Sequence, residues 1–104
     1  MATIIVLFNL KNGVTTGEYE EWARETDLPT VRGLKAIDSF DVYKATGLLI
    51  GDDEPPYKYI EIIQVNDMNT FGQEISTDTM QKVANEFQGR LADNPCFIMC
   101  ESLS

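Results

Sequence analysis

The sequence contains no histidine, two cysteines, and eight lysines and arginines against seventeen aspartates and glutamates. Without histidine, the Ser-His-Asp and Cys-His catalytic arrangements and a histidine-ligated haem or zinc are excluded. The formal net charge of −9 disfavours nucleic acid and anionic membranes as partners, because neutralising phosphates requires clustered lysines and arginines. We therefore expect no nucleic-acid partner and no membrane partner.

Motifs for phosphate binding and for membrane insertion are also missing. Neither GxGxxG nor GxxxxGK[ST] occurs, so a nucleotide is not expected and we predict a protein that works without a cofactor. The apolar run near the N-terminus is too short to span a membrane and lacks the basic segment of a signal peptide. Cys96 and Cys100 lie about 13 Å apart in a predicted strand, too far for a disulfide. Two free thiols are typical of the cytoplasm.

Hydrophobic periodicity and turn residues predict the element order βαββαβ in a single domain, residues 1–104. The strands, rich in β-branched and aromatic residues, are predicted at 3–10, 37–46, 57–65 and 96–103. This order is typical of the α+β, ferredoxin-like fold, in which both helices cover one face of a four-stranded antiparallel sheet.

The helices are predicted from caps and from proline. The first begins after Thr15 or Thr16 and ends or kinks at Pro29. A short helix over 68–75 is capped by Asp67, and a further helix capped by Thr77 stops at Asn94-Pro95.

A sheet with one face in water normally has polar side chains on that face, but these strands are apolar on both faces. Neighbouring pairs such as Ile4 with Ile5, and Ile62 with Ile63, leave neither face polar. We therefore expect a second sheet to cover the face opposite the helices. This predicts a symmetric homodimer, a dimeric α+β barrel.

Polar side chains on these apolar strands indicate a pocket for a small aromatic ligand. If their faces look at the helices, they converge beneath Tyr19 and Trp22 of the first helix, and the converging residues are Asn9, Asp41, Tyr43, Tyr59 and Glu61. An apolar pocket with a few polar groups is the usual form of a small-molecule site. Glu61 or Asp41 is the candidate catalytic base, because burial raises the pKa of a carboxyl group. We expect the tyrosines, Asn9 and Trp22 to bind and orient the substrate.

Each of these residues also has a purely structural interpretation. Tyr19 and Trp22 fall at the spacing of a helix core, and Tyr43 and Tyr59 could be cross-strand packing partners. Glu61 could instead form an ion pair with a lysine or arginine at the subunit interface. The acidic loop 52–54 lacks the spacing of a calcium loop, so we interpret it as solvated and predict no metal site.

The chain resembles the dimeric α+β barrel proteins at positions spread along its length. Within that superfamily it most resembles the RedY-like (HapK) proteins of prodiginine-type pigment pathways. The residues that carry the resemblance are Tyr19, Trp22, Leu28-Pro29, Gly33, the strand Phe40-Asp41-Val42-Tyr43 and the stretch from Phe87 to Phe97. The resemblance implies a homodimer, a pocket between helices and sheet, and a role in bacterial secondary metabolism on an aromatic, pyrrole- or indole-like intermediate.

Relatives in the superfamily include cofactor-independent monooxygenases, polyketide cyclases and haem-degrading enzymes. Several of these carry a histidine a few residues after the tryptophan of the first helix, where this chain has Thr26. The resemblance therefore carries over neither haem chemistry nor catalysis by histidine.

Three functions stay open at this point. The first is a small cofactor-independent enzyme of pigment biosynthesis that assists a condensation, cyclisation or hydrolysis. The second is a non-catalytic binding protein for a hydrophobic pathway intermediate, and the third is a cofactor-independent monooxygenase. The same pocket would serve all three.

Overall fold

Four antiparallel strands with helices on one side of them form the fold. The computed structural model describes residues 2–104. The strand order is β2-β3-β1-β4, and every pairing is antiparallel. The elements are β1 (Ala2–Leu10), α1 (Thr16–Trp22), α2 (Leu28–Arg32), β2 (Ile37–Lys44), β3 (Tyr59–Val65), α3 (Met68–Glu74), α4 (Asp78–Glu86) and β4 (Ala92–Cys100). The predicted α+β, ferredoxin-like βαββαβ fold is confirmed.

The first helical region runs from Thr16 to Arg32 but widens in its middle. A π-helical turn, Ala23–Asp27, joins α1 to α2, and in it the Leu28 N–H donates to the carbonyl of Ala23. Pro29 follows at the start of α2, where its missing N–H does not end the helix because the wide turn has already changed the hydrogen-bond pattern. The predicted N-caps Thr15, Asp67 and Thr77 are confirmed, since each side chain accepts from a backbone N–H of the following turn.

A second wide turn, Phe87–Leu91, leads from α4 directly into β4. β4 therefore begins at Ala92 rather than at the predicted Cys96, and Asn94-Pro95 lies inside the strand. Asn94 has a φ of 46°, and the register against β1 shifts between Leu7 and Asn9. The prediction that Asn94-Pro95 stops the helix is wrong. Asparagine tolerates a left-handed conformation, and here it forms an irregularity of the edge strand.

Burial alternates along the central strands and defines the face that looks at the helices. In β3, Tyr59, Glu61, Ile63 and Val65 are buried, and the intervening residues are half-buried. The pairings place Val6 of β1 and Val42 of β2 directly opposite Glu61, on the same face.

The opposite face of the sheet, here called the outer face, is also largely apolar. Its large apolar side chains remain half-buried or exposed: Ile5, Leu7, Tyr43, Ile60, Ile62 and Ile98. A solvated sheet face is normally polar, so this surface is unusual for a monomer.

An aromatic cluster forms the centre of the core between sheet and helices. The ring of Phe8 packs edge-on against Tyr19 and Phe87, with centroid-to-centroid distances of 5.3 Å and 4.9 Å. It stacks on the ring of Tyr59 at a centroid distance of 5.4 Å. Such pairs add about 0.5–1.5 kcal/mol each beyond their buried area. This cluster positions the first helix above β3. None of the helices in residues 2–104 is long and apolar enough to cross a membrane.

Candidate functional site

Among residues 2–104, two carboxylic side chains are buried, and both lie between the sheet and the helices. Glu61 on β3 is 4% exposed, and Asp27 in the wide turn is 6% exposed. The hydroxyl of Tyr19, itself fully buried, donates a long hydrogen bond of 3.5 Å to Oε2 of Glu61. No group in residues 2–104 donates a hydrogen bond to the Asp27 carboxyl. A carboxyl group is rarely buried without a partner, so this pair needs an explanation beyond packing.

The two carboxyls line an apolar cavity of about 110 Å³. Its walls are mainly aromatic and aliphatic, and no lysine or arginine is among them. The sheet and the helices both contribute apolar wall residues, among them Val31, Phe40, Ile63, Val83, Phe87 and Phe97.

The cavity continues into a wider groove of about 520 Å³ between α3, α4 and β4. Phe71, Met80 and Phe97 belong to both, so the small cavity is the inner end of the groove. Phe97 and Met99 face the helices yet are 53% and 59% exposed, because α4 does not cover this part of the sheet. The geometry gives an apolar channel that ends at two carboxyl groups. Pockets of this size bind small organic molecules.

Burial controls the protonation of the site. It raises the pKa of Asp27 from 3.8 to about 7. The pKa of Glu61 is raised well above its usual range, first by burial and then by the negative charge of Asp27, although the hydrogen bond from Tyr19 opposes this. Burial, followed by the charge of Glu61, likewise raises the pKa of the Tyr19 hydroxyl. The site therefore contains a neutral carboxylic acid near pH 7, which is unusual for either residue type.

Asp27 was not among the residues predicted from the sequence. Three- and four-residue spacing from Tyr19 leads to Thr26, which is only half-buried. Besides Trp22, the structure buries a series spaced by four residues, which the wide turn keeps on one side of the helix: Tyr19, Ala23, Asp27 and Val31. The sequence signal for Asp27 is an aspartate at four-residue spacing between the apolar Ala23 and Val31.

The predicted convergence beneath Tyr19 and Trp22 is wrong for Asn9, Asp41 and Tyr43. Since Val6 and Val42 pair with Glu61, these three residues point to the outer face of the sheet. β1 is apolar on both faces, so nothing in its pattern fixes the face that looks at the helices. In β2 the apolar Phe40 and Val42 form the face that looks at the helices, and the polar Asp41 lies on the other face. A shift of one residue exchanges the two faces.

The three misplaced residues have structural contacts instead. The Asn9 amide donates to the Pro56 carbonyl at 3.1 Å and accepts from the Lys58 N–H at 2.9 Å, which holds the base of the long β2–β3 loop. Asp41 forms an exposed ion pair with Arg32 at 3.0 Å, and Tyr43 is 54% exposed.

The other predicted residues do lie beneath or within the first helix. The Tyr59 ring is buried, but its hydroxyl donates to Oε2 of Glu20 at 2.8 Å rather than to Glu61. Trp22 stacks near Phe87, with ring centroids 6.2 Å apart, and within residues 2–104 its buried indole N–H has no hydrogen-bond partner. The alternative that Glu61 pairs with a cation at a subunit interface is wrong, because Glu61 faces the helices.

A family model described as "REDY-like protein HapK" matches residues 2–103. The chain belongs to this family. Its structure is similar to the crystal structure of HapK from Hahella chejuensis, with a TM-score of 0.77, 28% identity, and coverage of 99% of this chain and 93% of that chain. None of the curated proteins that were compared with the chain matches it.

Two more distant structures share the fold of this REDY-like chain. One is a dimeric ferredoxin-like protein of unknown function from Thermobifida fusca, with a TM-score of 0.70, 16% identity, and coverage of 97% of this chain and 90% of that one. The other is SnoaB, a cofactor-independent oxygenase from Streptomyces nogalater, with a TM-score of 0.73, 11% identity, and coverage of 99% and 93%. At these identities the likeness shows the fold alone.

Proposed function

We propose that this REDY-like protein is a small cofactor-independent enzyme of bacterial secondary metabolism that performs acid–base chemistry on a flat, nitrogen-containing aromatic intermediate. One observation carries the proposal: the carboxyl group of Glu61 lies at the closed end of an apolar channel, where burial keeps it protonated. A positioned acid or base of this kind accelerates proton transfer by about 10²–10⁴-fold.

The channel is suited to a flat apolar ligand. The rings of Phe71, Phe87 and Phe97 offer surfaces for an aromatic molecule, and the amides of Gln81 and Asn85 border the groove where polar substituents would lie. The membership in the REDY-like family supports a place in a prodiginine-type pigment pathway, acting on a pyrrole- or indole-like intermediate in a condensation, cyclisation or hydrolysis.

The test is turnover of pyrrole- and indole-containing pathway intermediates, followed by mass spectrometry, with the wild type and with Glu61→Gln. The amide keeps the shape of the side chain but cannot exchange a proton, so we expect turnover to fall at least about 10²-fold while the protein still binds the intermediate. Asp41→Asn is the matched control, since Asp41 lies on the outer face and should leave turnover unchanged. Unchanged turnover in Glu61→Gln would refute the assignment.

The same experiment separates the other two candidate functions. Tight binding of an intermediate by the wild type, without a product, would favour the binding protein. Oxygen uptake that depends on the intermediate would favour the monooxygenase; SnoaB, which has the same fold, is a cofactor-independent oxygenase.

We also propose that two copies pack their outer faces together as a homodimer. The support is the apolar outer face around Ile62, together with the dimeric state of the Thermobifida fusca protein of the same fold. Ile62→Asp should convert the dimer to a monomer in sedimentation velocity. Leu49→Asp, at a fully exposed loop position, is the matched control and should leave the dimer intact. A monomeric wild type would contradict the proposal.

A cytoplasmic location is proposed on the two free thiols, Cys96 and Cys100, of which Cys96 is exposed. Fractionation of the producing cells would test it.

A further inference from the structure

We infer that Asp27 is a second catalytic residue and works together with Glu61, one of the two carboxyls serving as the base and the other as the acid. The catalytic part of this inference rests on the proposed acid–base function, whereas the electrostatic coupling of the two carboxyls can be tested without any substrate.

Packing of the fold does not explain why an aspartate occupies position 27. It is 6% exposed and occupies one position of a buried series on the first helix, whose other members include Ala23 and Val31. An apolar side chain there would avoid the cost of burying a polar group, which is at least about 1–3 kcal/mol without a hydrogen bond. Asp27 also lines the cavity that Glu61 lines, and no residue in 2–104 satisfies its carboxyl. Within residues 2–104 Glu61 accepts only the long hydrogen bond from Tyr19 and Asp27 accepts none, so a ligand in the cavity can serve as a partner to both carboxyls.

Of the residues that line the cavity, Asp27 and Glu61 alone can carry a charge. Among the titratable groups, Asp27 and Tyr19, the latter from α1, act on Glu61, whereas burial alone raises the pKa of Asp27. The other elements around the cavity contribute uncharged side chains, among them Phe40 from β2, Phe71 from α3, Gln88 from the second wide turn and Phe97 from β4. No cation lines the cavity, so two adjacent negative charges would be strongly unfavourable there.

Two buried carboxyls in one cavity do not ionise independently. Burial raises the pKa of Asp27 to about 7, and it also raises the pKa of Glu61, on which the charge of Asp27 acts in addition. The loss of the first proton therefore opposes the loss of the second. The pair passes through a state with one carboxylate and one carboxylic acid.

Such a pair can remove one proton from a ligand and deliver another in the same step. The carboxylate of the pair takes a proton from a C–H or N–H group, and the electrons of that bond form a new double bond to the neighbouring carbon. The bond from that carbon to a hydroxyl group breaks, and the leaving oxygen takes the proton of the other carboxyl and departs as water. The pair again consists of one carboxylate and one carboxylic acid. This balance needs no oxidant or reductant and favours a dehydration.

The protonation states can be measured by ¹³C NMR of the aspartate and glutamate carboxyls in the ligand-free protein between pH 4 and pH 10. We expect Asp27 to titrate near pH 7 and Glu61 well above the ordinary range of a glutamate. Asp27→Asn should move the Glu61 titration to lower pH, because the neighbouring charge is gone. Glu61→Gln should leave the Asp27 titration near pH 7, because burial is what raises the pKa of Asp27. Asp41→Asn is the control and should change neither.

Two results would overturn the inference: an ordinary titration of Asp27 near pH 4 in the wild type, or a Glu61 titration that is the same in Asp27→Asn. The wild-type titration is decisive even if a variant folds poorly.

Turnover separates this inference from the proposed function. With an intermediate that the wild type converts, Asp27→Asn and Glu61→Gln should each lower turnover at least about 10²-fold, and each should remove one limb of the pH profile. If Glu61→Gln abolishes turnover and Asp27→Asn does not, the proposed function stands and the role of Asp27 is refuted. If neither variant affects turnover, both are refuted.

Discussion

Replacing Asp27 by asparagine should stabilise the protein relative to wild type progressively as the pH rises from about 4 to about 7. The folded state holds the Asp27 proton up to a pKa of about 7, whereas an unfolded aspartate releases it near the ordinary value of 3.8. Between these values the folded state binds more protons than the unfolded state. The wild type therefore loses stability with rising pH. Asparagine does not titrate, so the variant does not show this loss.

The magnitude follows from the two pKa values. A change from 3.8 to about 7 corresponds to about 4 kcal/mol, reached in full above pH 7 and absent below about pH 4. Asp27 is 6% exposed, so solvent screens this energy little. Burying the asparagine amide also costs free energy. This cost changes the difference in the free energy of unfolding between variant and wild type by the same amount at every pH. Only the dependence on pH is therefore diagnostic.

The assay is urea unfolding of the two proteins at a series of pH values, followed by the fluorescence of Trp22, the only tryptophan. Protein concentration must be equal throughout, because subunit association would add to the measured stability. Asp41→Asn, which loses a half-exposed ion pair to Arg32, serves as the control and should differ from wild type by about 1 kcal/mol or less. If the difference between Asp27→Asn and wild type is the same at pH 4 and pH 8, the raised pKa of Asp27 is refuted.

Two further predictions concern the contacts around the sheet. Asn9→Ala removes the two side-chain hydrogen bonds from Asn9 to the β2–β3 loop, so limited proteolysis within residues 45–58 should become faster. An unchanged cleavage rate would show that Asn9 does not restrain the loop. Tyr59→Phe removes the 2.8 Å hydrogen bond to the Glu20 carboxylate and should lower the free energy of unfolding by about 2 kcal/mol in urea, which a stability equal to wild type would contradict.

The element order could be predicted because each strand and helix carries a local signal. β-branched runs mark the strands, and the caps Thr15, Asp67 and Thr77 mark three helix starts. The end of α4 could not be predicted in the same way. Asn94-Pro95 is a helix-stop signal locally, but here the backbone pairing of Ala92 with Leu10 continues the sheet through it.

The site could be predicted only in part, for a reason that lies in the strands themselves. Glu61 and Tyr59 do face the helices. β1 is apolar on both faces, whereas in β2 the apolar Phe40 and Val42 meet the helices and the polar Asp41 does not, so taking polar residues as the pocket face fails in β2. A long loop sets no register that can be derived from its sequence. Asn9 and Asp41 were consequently assigned to the wrong face.

The geometry of the cavity depends on the two places where the helices depart from regular α-helical winding. One wide turn brings Asp27 to the cavity, and the other places Phe87 and Gln88 on its opposite wall. Wide turns of this kind occur often at functional sites, because they reposition side chains at the expense of regular hydrogen bonding. Glu61, in contrast, lies on a central strand that is paired on both sides and cannot shift. The position of one carboxyl is thus fixed by the sheet, and that of the other by a local helix irregularity. A change in the winding of the first helix would therefore alter the acid–base partner of Glu61 without disturbing the fold.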